Sequence, residues 1–271
     1  MRWVNVRPRR RGAVLLGTLP LLAALVAYLS ASAIRHAGNG ADKILPTPAA
    51  MVRAMSDLVV RVDPLSGQIA FWADTAASLE RLGLGLGICA LSALLVGMVL
   101  GVLPAARAMF GPLVTTVAVV PPIALLPILF IVFGLGETAK VALIVVGVAP
   151  FLIRDLTDHI AALPPEQLVK AQTLGANSWQ LAIRVALPQA LPRLIAGLRL
   201  SLGPAWVYLI SAEAIAADTG LGYRIFLVRR YLSMDIIIPY VAWIALLAIG
   251  MDVALAQISR RGFAWAHQVG R

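Results

Sequence analysis

The stretch LGANSWQLAIRVALPQALP, residues 174–192, stands out in an otherwise strongly apolar chain. Asn177 is placed to cap a helix, and Gln180, three residues on, to return a hydrogen bond to the cap backbone as in a capping box. Trp179, Ile183 and Leu187 fall on one stripe of that helix and Gln180 and Arg184 on another, with Pro188 expected to end it. Just upstream, PPEQLVKAQTL (164–174) predicts a shorter helix with Leu168, Ala171 and Leu174 on one side, which Gly175 terminates. Residues 154–189 therefore read as a loop folded into two helices with an apolar face. Such a face needs either a groove on a partner or a place on a membrane surface, and spacing alone does not choose between them.

The surroundings are those of a membrane protein. Of 271 residues 60% are hydrophobic and 13% charged, and the mean hydropathy is +0.87, outside the range of soluble domains. Crossing roughly 30 Å of hydrocarbon takes about 20 mostly apolar residues. Six windows fit, near 13–34, 83–104, 112–133, 138–153, 190–215 and 236–258; the fourth is short and meets Arg154 and Asp155 at its end. The first could instead be a signal peptide, since MRWVNVRPRRRG leads into an apolar run ending in LSASA. That run exceeds the usual signal core and more spans follow it, so a first span is the reading adopted. The fold class is all-α: a polytopic bundle of about six transmembrane helices.

Loop charge sets the orientation. With the N-terminus in the cytoplasm, the inner segments hold thirteen Lys or Arg: Arg2, Arg7, Arg9, Arg10, Arg11, Arg107, Arg154, Lys170, Arg184, Arg193, Arg260, Arg261 and Arg271. The outer stretches hold seven, namely Arg35, Lys43, Arg53, Arg61, Arg224, Arg229 and Arg230. The expected plan is a basic cytoplasmic N-terminus (1–12), a first helix (13–34), an extracytoplasmic segment with amphipathic helices (35–82), a core (83–258) containing the loop 154–189, and a cytoplasmic C-terminus (259–271). The formal charge of +10 is largely this asymmetry, so no nucleic-acid partner is inferred. In the outer segment, Thr47 and Pro48 should start a surface helix with Met51, Met55, Leu58, Val59 and Val62 on its apolar side. DTGLGYRIFLVRRYLSMD should form glycine turns followed by a short basic and aromatic helix.

Enzymatic and metal chemistry find little support. Cys89 lies within a span, His36, His159 and His267 are far apart, and no HExxH or G-x-S-x-G occurs. The glycines of LGLGLG before Cys89 read as helix-packing surface. The three lysines, Lys43, Lys140 and Lys170, each lack a preceding glycine, so the chain has no Walker A loop. It binds no nucleotide by that route, and no cofactor of its own is expected.

Charges inside spans are functional candidates because burying them is costly. Arg199 lies eleven residues after Pro188 and Asp252 eight before Arg260, a similar depth, which suggests a pair between the fifth and sixth spans. Glu213 falls about four turns beyond Arg199, where an outer gate or an interfacial position is possible. Gly203 and Pro204 could kink the fifth span, and Pro121, Pro122 and Pro127 break the third, either bending it or freeing carbonyls to line a passage.

The loop resembles the EAA loop of ABC-importer permeases, with its glycine at Gly175 and, ten residues on, the hydrophobic-x-Leu-Pro ending at Val185, Leu187 and Pro188. The acidic residue and first alanine of that pattern fall on Val169 and Lys170; Ala171 keeps it, and Glu166 lies one turn upstream as a substitute acid. ILPTPAAM, VVPPIALLPILFIVFGLGETAKVALIVVG, GLRLSLGPAWVYLISAEAIAADTGLGYRI and RRGFAWAH extend the resemblance, to the nitrate, sulfonate and taurine branch, over nearly the whole chain. It implies a type I importer permease (MetI-like) in a bacterial inner membrane, a second permease copy as homodimer partner, surrounding lipid, and an extracytoplasmic binding protein that delivers a small anion. It also implies a cytoplasmic ATPase dimer, which binds the ATP and docks on Glu166, Ala171, Gly175, Trp179, Ile183, Arg184, Val185, Leu187 and Pro188. The competing class is an ion-coupled secondary transporter, which would carry more ionisable groups at mid-membrane and need no docking loop.

Overall fold

Apolar windows long enough for lipid close all their backbone hydrogen bonds internally, and here they do so as helices. The computed structural model describes residues 10–40, 42–62 and 67–267, and these are nearly all helical. Arg2, Arg7, Arg9 and Arg271, counted above for orientation, lie outside the described residues. In chain order the helices are α1 (Arg10–Gly38), α2 (Pro48–Val60), α3 (Ala70–Ser92), α4 (Met98–Val102), α5 (Pro104–Val119), α6 (Leu126–Phe133), α7 (Glu137–Ala161), α8 (Pro165–Thr173), α9 (Ser178–Gln180), α10 (Leu187–Ala216), α11 (Leu221–Arg229) and α12 (Met234–Gly262). Among the described residues four runs are long and apolar enough to cross a membrane: Leu15–Gly38, Ala70–Val102, Ser178–Ala216 and Met234–Gly262. The bent pair Pro104–Val119 and Pro122–Phe133 makes a fifth if it is one span.

The fourth window is α7, whose 25 residues reach about 37 Å at 1.5 Å per residue. Glu137, Lys140, Arg154, Asp155 and Asp158 near its ends set it apart from those four runs. It needs little lipid-like character, because it is the centre of the bundle: α3, α4, α5 and α10 all pack on it. Leu143, Ile144, Val148, Leu152 and Leu156 form its buried stripe. In lipid this packing rests on close van der Waals contact rather than on removal from water, so small residues matter. A Cβ on Gly85 would lie 2.8 Å from Ile144, and one on Gly101 2.6 Å from Ile160, so α3 and α4 approach α7 more closely than alanine permits. Of the three glycines in LGLGLG only Gly85 makes this contact; Gly83 and Gly87 face open space.

Three features differ from expectation. The second span starts at Ala70 rather than near residue 83, and α3 and α4 are joined through a π-helical turn, Ala93–Gly97. Residues 70–82 read as an outer loop because they carry Asp74, Glu80 and Arg81, yet Asp74 and Arg81 are buried and paired. The third window is not one straight span, since its two halves meet at 86°. Val120 and Pro121 are extended there, as the residue before a proline tends to be, and neither Pro121 nor Pro122 has an N–H to continue the ladder. The third difference is at α2. Thr47 Oγ1 accepts from Ala50 N at 3.3 Å as expected, but Met55, Leu58 and Val59 pack against the core, with α12 and α3 as the neighbouring helices, while Val62 is exposed. Protein covers part of that apolar face, and no residue of α2 is fully buried.

Candidate functional site

One end of the bundle carries the loop quoted at the outset. α8 closes in a Schellman motif: Gly175 N donates to Gln172 O at 2.9 Å and Ala176 N to Ala171 O at 3.0 Å. Gly175 supplies the left-handed residue, φ +85°, which a side chain would strain. Asn177 and Gln180 then form the complete capping box, Gln180 N to Asn177 Oδ1 at 2.8 Å and Asn177 N to Gln180 Oε1 at 2.9 Å. Two rigid turns thus follow one another directly. A bond from Gln189 Nε2 to Gln167 Oε1 (3.1 Å) ties α8 to the first turn of α10, and Arg193 pairs with Asp155, Nε to Oδ2 at 2.9 Å, fixing α10 to α7.

Pro188 does not stop the second helix. The backbone passes from α9 through a π-helical turn, Leu181–Ala186, into α10, giving one helical run of 39 residues from Ser178 to Ala216. Leu187 N bonds to Ala182 O, five residues back, so the widened turn accommodates a proline that an α-helical interior would resist. The helix also runs on through Gly203 and Pro204.

The loop's apolar stripe is divided. Leu187, Ile183 and Trp179 face Leu94, Met98 and Leu103 across an apolar groove of about 490 Å³. Trp179 is nevertheless 73% exposed, and Leu174 at the tip is 81% exposed. Glu166 lies with Val169 and Lys170 on a shallow concavity of α8; Ala171 and Val185 are half-buried and Arg184 is exposed.

The far end of α10 carries the feature that sequence reading missed. Asp74, Ser78 and Arg81 lie on one face of α3; Ser78 and Arg81 converge on Glu213, which is 1% exposed, and Asp74 on the start of α11. Glu213 accepts hydrogen bonds from Ser78 Oγ (2.8 and 3.0 Å), Arg81 Nη1 (2.7 Å) and Gly222 N (2.9 Å). Asp74 accepts from Gly220 N at 2.9 Å and from Arg224 Nε at 2.7 Å, and Ser78 Oγ also accepts from Leu221 N at 2.9 Å. Three successive amides at the start of α11 are thereby capped by three side chains, two from α3 and one from α10. Arg81 also donates to Thr219 O at 2.8 Å and to Glu137, Nη2 to Oε1 at 2.8 Å; Lys140 Nζ meets the same carboxylate at 2.8 Å. Cβ atoms on Gly220 and Gly222 would lie 2.5 Å from the Glu213 carboxylate and 2.7 Å from Ile210 O, so the clasp closes only over glycine. The legible signal was the spacing 74, 78, 81 of polar residues on one helical face.

Arg199 and Asp252 do pair, Nε to Oδ1 at 2.8 Å and Nη2 to Oδ2 at 2.9 Å, joining α10 to α12 on a partly exposed face. Pro121 and Pro122 form the sharp break between α5 and α6. Among the described residues no cluster of His, Cys, Asp or Glu could hold a metal ion.

A multi-pass helical bundle with a rigid helical loop continuing into one span and a polar clasp at that span's other end is the build of a membrane transport subunit. The chain belongs to the family of binding-protein-dependent transport system inner membrane components, whose model matches residues 93–262. It is 36% identical over 198 residues to the taurine transport system permease protein TauC of Escherichia coli (strain K12), covering 73% of this chain and 72% of that one. Against the bicarbonate transport system permease protein CmpB of Synechococcus elongatus it is 29% identical over 192 residues, covering 70% and 68%. A chain from an inward-facing structure of the MetNI methionine ABC transporter (CY5 SeMet soak crystal form) shares the fold, with a TM-score of 0.60 at 23% identity over 77% of this chain and 97% of that one. The chain is therefore an ABC-importer permease.

Proposed function

We propose that this subunit forms, with a second copy of itself, the translocation path for a small anion of the sulfonate, taurine or nitrate class. An extracytoplasmic binding protein presents the solute, and two ATPase subunits dock on the helical loop. The chain lies in a bacterial inner membrane with both termini and the loop in the cytoplasm, as the excess of Lys and Arg in those segments favours.

The observation that carries this reading is mechanical. The loop is locked by a Schellman turn and a capping box and joins α10 with no intervening coil, so a push on it moves a span. ATP must be bound elsewhere, because none of the three lysines belongs to a Walker A sequence. Exposed Leu174 and Trp179, with Glu166, Gly175 and Arg184 around them, offer the surface that an ATPase groove would cover. The solute class rests on the relatives named for taurine and bicarbonate, both of which carry an oxyanion.

The test is uptake of labelled taurine into proteoliposomes holding the permease and its ATPase, with ATP and binding protein supplied from opposite sides. Uptake that requires both supports the reading. Uptake driven by an ion gradient without ATP, or a permease that assembles with no ATPase, contradicts it.

A further inference from the structure

We propose that Glu213 is the latch of a gate at the end of the bundle opposite the loop, and that the helix Ser178–Ala216 works it. The proposal rests on the importer reading, which supplies the force on the loop.

Three observations carry it. First, loop and latch stand on one helical run: Ser178 and Glu213 are about 50 Å apart along it at 1.5 Å per residue, with no coil between. Second, the clasp is short-range and divided between elements. α3 contributes Asp74, Ser78 and Arg81, while Glu213 and the amides of Gly220 to Gly222 belong to α10 and the segment that follows it. Its bonds of 2.7–3.0 Å do not survive a shift of one or two ångströms, so α10 and α3 are either clasped or apart. Third, the charges are arranged so that parting is possible. Arg81 bridges buried Glu213 and Glu137, whose side chain is 62% exposed, and keeps the second when it loses the first. Glu213 keeps the amide of Gly222, which follows it in the chain. Asp74 and Ser78 are left needing water, so the open state is a wet one.

The experiment uses the permease–ATPase complex in proteoliposomes, with the single native cysteine removed (Cys89→Ala) and Leu221→Cys placed beneath the clasp, where Leu221 is fully buried. A charged, membrane-impermeant thiol reagent reads its accessibility with and without a non-hydrolysable ATP analogue. A gate whose open state is a minor population should label about tenfold faster once nucleotide or mutation favours opening. Glu213→Gln should raise labelling without nucleotide, and Gly220→Ala, whose Cβ collides with the carboxylate, should do the same while leaving Glu213 in place. Labelling that nucleotide and both variants leave unchanged, in a complex that still imports taurine, overturns the latch. A wild-type complex that captures no ATPase overturns the importer reading itself.

Discussion

Arg81 Nη1 lies 2.7 Å from Glu213 Oε1, a contact between residues 132 positions apart that fixes α3 to α10 where both are buried. Removing one member of a buried ion pair leaves the other desolvated and unpaired, at a cost of roughly 3–5 kcal/mol. Arg81→Ala should therefore lower the thermal unfolding midpoint of the detergent-solubilised protein sharply. Asp158→Ala, which removes an exposed carboxylate facing only exposed Arg154, should cost no more than about 1 kcal/mol. Equal losses would show that the clasp does not depend on burial.

Gly175 holds φ +85° between two capped helices, a backbone that costs other L-residues about 1–2 kcal/mol. Gly175→Ala should speed amide exchange at Gly175 and Ala176, whose N–H groups close the Schellman turn, and Gly175→Asn should do so less. Asn177→Ala removes the cap from the next helix at a cost of about 1 kcal/mol and should free the amide of Gln180. Unchanged exchange in all three variants would mean the loop is held by something other than its turns.

Pro188 follows directly on the π-helical turn, at a place where an α-helical interior would set its ring against the carbonyl of Arg184. Pro188→Ala should let Leu181–Ala186 tighten, turning α9 and its side chains relative to α10. The expected outcome is a protein at least as stable, by its unfolding midpoint, that captures its ATPase less well. Full capture would show that the π turn does not set the loop's orientation.

Arg199 and Asp252 are joined by two hydrogen bonds on a face left partly open in the single chain. Asp252→Asn strands a guanidinium within a span, and the double variant Arg199→Gln/Asp252→Asn removes both charges. Membrane assembly should fall in the single variant and recover in the double one. A double variant worse than either single would assign the two residues separate roles.

How much of this was legible follows from where the polar groups sit. The loop could be read because its devices are local: Asn177 and Gln180 are three residues apart, and Gly175 bonds to residues within one turn. The Arg199–Asp252 pair was legible because two isolated charges at equal depth have few other partners. The clasp was not, because the bonds from α3 to α10 and α11 span from 132 to 150 residues and its α3 members resemble loop charges until their partners are brought to them. Hydropathy placed the start of the second span beyond Arg81 for the same reason, since it scores each charge as though unpaired. The break at Pro121 was visible in the residues, but its 86° is set by how α5 and α6 each pack on α7.

The central claim is that the loop receives the ATPase. Its most direct measurement is capture of the cognate ATPase by wild type, Gly175→Asp and Trp179→Asp, after each has been shown to insert in membranes. Capture by the wild type and loss in both charged variants is the predicted result. Equal capture by all three would contradict it, making the stripe of Trp179, Ile183 and Leu187 a membrane-surface element and moving the coupling of ATP to transport elsewhere in the chain.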